Sequence, residues 1–297
     1  MNGATSMSYT KSGLSAVASY SVYCEVTNEI GTVSSRIATL TVQSSLPVYT
    51  YSGTANFIDD GNRNWRIKFL TSGILKFSNL GSGVDGIDVF CVGGGGGGSG
   101  RAHGGGGGYT NTSLRNKVEL NKEYTITIGS GGTAGRNILN GGTGGDTICI
   151  NTTAKGGEGG SDDRAGVNKG GNGGSGGGTA LGGKGGSDGG NGETKWATGG
   201  TGQGTTTREF GESSGTLYAG GGGGGTGHGY TSRAPGGEGG GGAGGLAVDD
   251  REYPGIAGTI NTGGGGGGGF STSSDGSVGD AYGAVGGSGI AIIRNSR

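Results

Sequence analysis

Glycine fills whole stretches of this chain. Unbroken runs occupy 93–98, 104–108, 220–225 and 263–269, and 76 of the 85 glycines in 297 residues lie after position 92. Glycine loses more conformational freedom on folding than any other residue, roughly 0.5–1 kcal/mol against alanine in a regular element. So rich a stretch either stays unfolded or is locked by a dense set of backbone hydrogen bonds. Which of the two applies governs everything else the chain can be.

Disorder has part of the composition on its side. Leu, Ile, Val and Phe together make 48 residues of 297, fewer than a globular domain normally carries, and Gly-rich low-complexity sequence behaves as flexible linker. Two features oppose it. With 21 basic against 22 acidic residues the net charge is −1, so the high charge that accompanies disorder is missing. The glycine blocks are also punctuated by short β-branched and aromatic segments at 87–92, 124–128, 147–150 and 290–293, which read as strands. Further strands are expected at 48–51, 65–70 and 73–77, separated by turn-rich sequence such as Asp59-Asp60-Gly61-Asn62.

A collagen helix needs glycine at every third position and abundant proline, whereas this chain has three prolines and irregular glycine spacing overall. The remaining ordered form is the polyglycine-II helix, with three residues per turn and a rise of about 3.1 Å, so that six glycines span roughly 19 Å, close to the length of a strand. Without side chains, such helices approach closely enough to exchange N–H···O=C bonds, reinforced by Cα–H···O contacts. The fold expected is therefore mainly β, with extensive irregular and polyglycine-II structure. Short strands pack with a layered lattice of glycine helices, and there is little or no α-helix. Residues 44–92 form the opening strand segment and 93–297 the glycine-rich domain.

A lattice of that kind tolerates almost no side chains inside but any at its turns, which makes the insertions between glycine runs the natural binding surface. They differ from one another. Arg101 and His103 separate the first two runs; Asp163 and Arg164 lie in 161–169, Trp196 in 193–198, His228, Tyr230 and Arg233 in 228–235, and Tyr253 in 248–254. Tyr and Trp stack on sugar faces or fill pockets at small entropic cost, and these nine residues are the candidate ligand contacts.

Catalytic and cofactor patterns fare poorly. The GxGxxG matches sit in no strand–turn–helix unit. Residues 178–184 approach a phosphate loop, but Gly185 follows Lys184 where a Ser or Thr hydroxyl is required. Residues 141–149 fit one copy of a calcium nonapeptide, and one copy cannot surround an ion. Asp162 with Asp163, and Asp249 with Asp250 and Glu252, offer carboxylates for a polysaccharide depolymerase, but each group lies beside an arginine and reads as solvated loop charge. Two histidines do not define a zinc site. The cysteines at 24, 91 and 149 show no pairing pattern, and Cys91 and Cys149 read as small buried hydrophobes. No enzyme activity, cofactor or metal is expected. Near-neutral charge argues against nucleic acid, and no segment has the 18 consecutive apolar residues of a membrane span. The opening residues lack the basic start and apolar stretch of a secretory leader.

Residues 1–43 alternate as a hairpin, and Tyr23-Cys24-Glu25-Val26-Thr27-Asn28-Glu29-Ile30-Gly31 followed by Ala38-Thr39-Leu40-Thr41-Val42 resembles the last strands of an immunoglobulin-like domain. Val22 replaces the tyrosine expected two positions before the cysteine, and neither a partner cysteine nor the core tryptophan stands upstream. The segment reads as a C-terminal fragment of such a domain.

A second resemblance spans about 48–297. It rests on 64–73 (NWRIKFLTSG), 86–92 leading into six glycines, 202–212 (GQGTTTREFGE), Leu217-Tyr218-Ala219 before another run, and the closing 286–294 (GGSGIAIIR). In this order they resemble the glycine-rich domain of bacteriophage tail proteins and some bacterial surface proteins. The resemblance implies a non-enzymatic structural and receptor-binding role in the distal part of a phage tail, located in the virion. Its implied partners are a bacterial surface glycan or protein and other tail proteins. The alternative setting is a bacterial cell-surface or secreted adhesin of the same fold.

Overall fold

Alternation of apolar and polar residues sets the first four strands, which make one interrupted antiparallel ladder. The computed structural model describes residues 18–42, 44–161, 168–195, 197–227, 229–248, 251–270 and 281–297. Strand β1 (Ala18–Val22) pairs with β4 (Ala38–Val42), and β2 (Glu25–Asn28) with β3 (Gly31–Ser34), placing Tyr20 opposite Leu40 and Val26 opposite Val33. Asn28 Oδ1 closes the turn by accepting the amides of Ile30 and Gly31 at 2.9 and 3.1 Å. Its apolar face is open to solvent, Val26 being 67% and Val33 74% exposed.

The next strands build a two-sheet sandwich. They are β5 (Val48–Tyr51), β6 (Ala55–Gly61), β7 (Asn64–Phe69), β8 (Gly73–Asn79), β9 (Ile87–Val92), β10 (Thr110–Asn116) and β11 (Glu123–Ile126). Two short hairpins follow, β12 (Thr147–Cys149) with β13 (Thr152–Ala154) and β14 (Leu246–Val248) with β15 (Arg251–Tyr253), before the last strand, β16 (Ile290–Asn295). One antiparallel sheet has the order β10-β9-β16-β7-β6, the other β11-β8-β5. Between them Trp65, Ile67, Phe69, Ile87, Val89, Ala291 and Ile293 meet Leu75, Phe77 and Ile126, all with no exposed surface. Strand β16 lies between β9 and β7, so the end of the chain completes the middle of a sheet begun more than 200 residues earlier. The only helix among the described residues is a single 3₁₀ turn, Glu209–Gly211, which agrees with the mainly β expectation.

Two details differ from the sequence expectation. The segment 59–62, read as a turn, continues β6 through Gly61, and the reversal falls at Asn62 and Arg63 with φ of 52° and 66°. Two successive positive φ values are what a two-residue hairpin of type I′ demands. Strand β10, absent from that expectation, has almost no apolar alternation. It exists because β9 offers it an edge and because Gln203 Oε1 accepts the Thr110 amide at 3.0 Å while Gln203 Nε2 donates to Thr110 Oγ1 at 2.7 Å.

Gln203 begins a strap, 203–219, across the outer face of the five-stranded sheet. Phe210 and Tyr218 pack on Phe90, with ring centroids 5.9 and 5.6 Å away, and with Val92, Ile290 and Ile292 form a second apolar cluster. Glu209, 5% exposed, is held by Lys68 Nζ at 2.5 Å, Arg66 Nη1 at 2.7 Å and the Tyr218 hydroxyl at 2.7 Å. Arg294 bonds Asp88 and Glu212 with its guanidinium 4.0 Å from the Phe210 ring centroid. The 202–212 motif is therefore a structural clamp.

Beyond the sandwich the backbone itself forms the core. In run 93–98 the amides bond three neighbours in turn. Gly93 and Gly96 donate to Tyr109 and Gly106, Gly94 and Gly97 to Gly145 and Gly142, and Gly95 and Gly98 to Gly287 and Ala284, at 2.8–3.0 Å. The carbonyls serve three others: Gly94 and Gly97 accept from Gly157 and Gly160, Gly95 and Gly98 from Gly132 and Gly135, and Gly96 from Gly266. The bonding period is three, and one run has six neighbours. Run 104–108 repeats the pattern, Gly104 and Gly107 donating to Gly178 and Ser175, and Gly105 and Gly108 to Gly266 and Gly263. Runs 220–225 and 263–269 bond to these and to each other, and all four are buried.

Backbone φ is negative throughout 93–98, 104–108 and 220–225, a region alanine also occupies, so glycine's conformational freedom is not what these positions need. They need the missing Cβ. At every position of 93–98 a Cβ would stand well inside 3.0 Å of a carbonyl oxygen on a neighbouring segment. Close approach of backbone to backbone is the use of glycine here.

Candidate functional site

The period of three also sorts side chains. Interior runs are all glycine, whereas peripheral segments repeat as X-Gly-Gly: Asn140, Thr143 and Asp146 in one, Lys155 and Glu158 in the next, all exposed, with the glycines between them buried or half-buried. A three-residue turn returns every third side chain to the same side. The lattice thus carries its side chains on outer walls and at its two ends.

The near end joins the sandwich. There Gly93 bonds Tyr109 beside β9 and β10, Gly289 bonds Gly129 beside β16, and Ala219 bonds Thr262. The far end is where the insertions collect. Ser99 bonds His103 at 2.8 Å, Gly100 bonds Leu139, Asn137 bonds Ala281, Gly225 bonds Ala102, Thr226 bonds Gly245, and Gly255 bonds Tyr282. Ser161 pairs with Lys169, and Lys169 with Thr198. One direction of travel along the glycine runs therefore brings turns from widely separated parts of the sequence to a common face.

The candidate residues occupy that face unequally. His103 is 1% exposed, its Nδ1–H donating to the Arg101 carbonyl at 2.8 Å and its amide to Ser99 Oγ at 3.0 Å. Burial lowers its pKa to about 4 against the opposing pull of the Arg101 carbonyl, so the ring is neutral at pH 7 and shielded from any surface ligand. Arg101 is half-buried. Arg233 is a tie between turns: its Nη1 donates to the carbonyls of Gly244 and Pro254 at 2.7 and 2.6 Å, and its guanidinium lies 5.8 Å from the Tyr253 ring centroid. Burial lowers the pKa of this arginine, partly offset by Tyr253. Tyr230 and Tyr253 are each 38% exposed, and the Tyr230 ring lies over Gly182, where a Cβ would meet its Cε1 at 3.6 Å. Asp163, Arg164, Trp196 and His228 lie outside the described residues, as do Asp162, Asp249 and Asp250.

The structure adds residues that the sequence reading passed over. Segments 253–259 and 282–288 run side by side, Gly255 bonding Tyr282 and Gly258 bonding Val285 at 3.0 Å. Their outward positions at intervals of three are Tyr253 and Ile256 in one and Tyr282 and Val285 in the other, 37–48% exposed. Arg136 stacks on Tyr282 at 4.8 Å. One wall of the lattice is thus apolar and aromatic where its X-Gly-Gly neighbours are polar. The tripeptide period was the signal for it, legible once outward and inward positions are separated.

The family model for the glycine-rich domain matches residues 72–296. None of the curated proteins matches the chain.

Proposed function

The chain belongs to the glycine-rich domain family, and from that premise we propose that it is a non-enzymatic structural and receptor-binding module in the distal part of a phage tail protein. Its glycine runs are polyglycine-II helices, a reading supported by the hydrogen-bond period of three and the six neighbours of each run. The lattice is a spacer of roughly 19 Å that holds far-end turns away from the sandwich and towards a glycan or protein of the bacterial surface. One observation carries this reading: turns of unrelated sequence, rich in Tyr, Arg and polar residues, meet at the end opposite the sandwich, at the far ends of buried all-glycine runs. Rigid scaffolds with divergent loops at one end are the usual architecture of recognition.

The test is staining of a broad panel of intact bacteria with a fluorescent fusion of the full chain, beside a variant whose turns 193–198 and 228–235 are replaced by Gly-Ser. Selective staining that the variant loses supports the proposal. Staining of no strain by the folded protein overturns it and leaves a spacer role; staining indifferent to both turns overturns the assignment of recognition to them.

A further inference from the structure

Three cysteines without a spacing pattern gave no reason to pair any two, yet the fold brings two of them together. Cys91 is on β9 and Cys149 on β12, 58 residues later, and both have no exposed surface in the same apolar cluster. Strands β9 and β12 are in contact there. Cys91 Sγ also lies 3.8 Å from the carbonyl of Thr152, the residue paired with Cys149 across the β12–β13 hairpin. A second bond fixes the approach of these elements, Asn111 Nδ2 of the neighbouring strand β10 donating to the Thr153 carbonyl at 2.9 Å. Cys24, by contrast, is exposed on the ladder of β1–β4.

We propose that Cys91 and Cys149 form a closable dithiol, a disulfide latch between the strand that feeds the first glycine run and the hairpin beneath it. The position gives the latch a purpose. Cys91 stands two residues before Gly93, and β12 and β13 carry the segments that bond that run at Gly94 and Gly97. Closing it ties sandwich and lattice at their junction and removes loop freedom from the unfolded chain. The chemistry is thiol–disulfide exchange with a low-molecular-weight disulfide such as oxidised glutathione. One cysteine thiolate attacks the glutathione disulfide, forming a mixed disulfide and expelling a glutathione thiolate. The second cysteine thiolate then attacks the protein sulfur of that mixed disulfide and expels a second glutathione. The dithiol is oxidised, one glutathione disulfide is reduced to two thiols, and the two cysteine protons end on the released glutathiones. Burial keeps both sulfurs from reagent in the folded state, so exchange belongs to folding, before the sandwich closes.

The experiment uses full-length protein with Cys24→Ser, which removes the exposed thiol. Refolding in a glutathione redox buffer is expected to yield a monomer lighter by two hydrogens, with a non-reduced peptide map joining the Cys91 and Cys149 peptides. Its melting temperature should exceed that of the dithiol form by several degrees, and the folded dithiol should resist the same buffer for hours. Adding Cys149→Ser should instead trap a glutathione adduct. A folded protein that keeps both thiols after oxidative refolding, an adduct that never closes without that second change, or a disulfide form that melts below the dithiol form overturns the proposal.

Discussion

Replacing Gly97 by alanine isolates the physical basis of the lattice. Its φ is negative, so alanine stiffens the unfolded chain at no conformational cost, a gain of at most about 1 kcal/mol. Against that, the new Cβ is driven into the Thr133 carbonyl. That carbonyl already accepts the Gly142 amide at 2.8 Å, and Gly142 in turn accepts the amide of Gly97 at 2.9 Å. Moving segment 130–135 aside puts one or two buried bonds out of reach, each costing about 1–3 kcal/mol when its groups go unpaired, with overpacking strain of similar size. The net expectation is a loss of about 2–4 kcal/mol. Thr143→Ala, at an exposed outward position one segment away, should change stability by no more than about 0.5 kcal/mol. Urea unfolding of both variants and the parent decides the matter. Equal midpoints for Gly97→Ala and Thr143→Ala would refute the claim that glycine is there for backbone approach.

Three further outcomes are expected. Glu209→Gln leaves Lys68 without its carboxylate in a nearly closed site and should cost about 2–4 kcal/mol by urea unfolding, with little effect on the far end. Burial works against the Glu209 carboxylate, but hydrogen bonds from Lys68 and Tyr218 and the charges of Lys68 and Arg66 outweigh it and hold its pKa below the ordinary value. The stabilisation is therefore complete above the unfolded pKa of about 4.3 and disappears as pH falls through the lower folded value, so melting curves of Glu209→Gln should lose less between pH 5 and 2 than those of the parent. His103 has the opposite charge type but the same direction of loss: from about pH 6.5 down to about 4 the unfolded chain binds a proton that the folded ring refuses, removing about 3 kcal/mol, and His103→Gln should flatten the stability profile over that window. Arg233→Ala should loosen the tie between 244 and 254, seen as faster amide exchange at 244–255 with the interior runs unchanged.

Most strands of the sandwich, though not its two-sheet arrangement, were legible in the sequence because they carry their own signals. Segments 48–51, 65–70, 73–77, 87–92 and 290–293 are β-branched and aromatic, and each falls on an observed strand within one or two residues. Strand β10 was not legible, because its stability comes from the β9 edge and from Gln203, 93 residues away. The place of β16 in the middle of the five-stranded sheet was equally hidden, since strand identity is local and strand order is not. For the candidate face, the sequence correctly separates glycine runs from insertions but says nothing of depth. Arg101 and His103 look alike as interruptions, yet His103 is enclosed by the lattice and Arg101 is half-buried. Arg233, chosen as a surface charge, ties two carbonyls together through its Nη1. Tyr282 and Val285 went unnoticed because their meaning appears only with the period of three.

The most direct test of the lattice is amide hydrogen exchange of the glycines in 93–98, 104–108, 220–225 and 263–269, followed by NMR on protein labelled at glycine. If these runs are the bonded interior of the fold, their amides should exchange orders of magnitude more slowly than those of free polyglycine and open only with global unfolding. Exchange at the rates of an unstructured chain, while the strands of the sandwich remain protected, would contradict the account and make the glycine-rich region a linker.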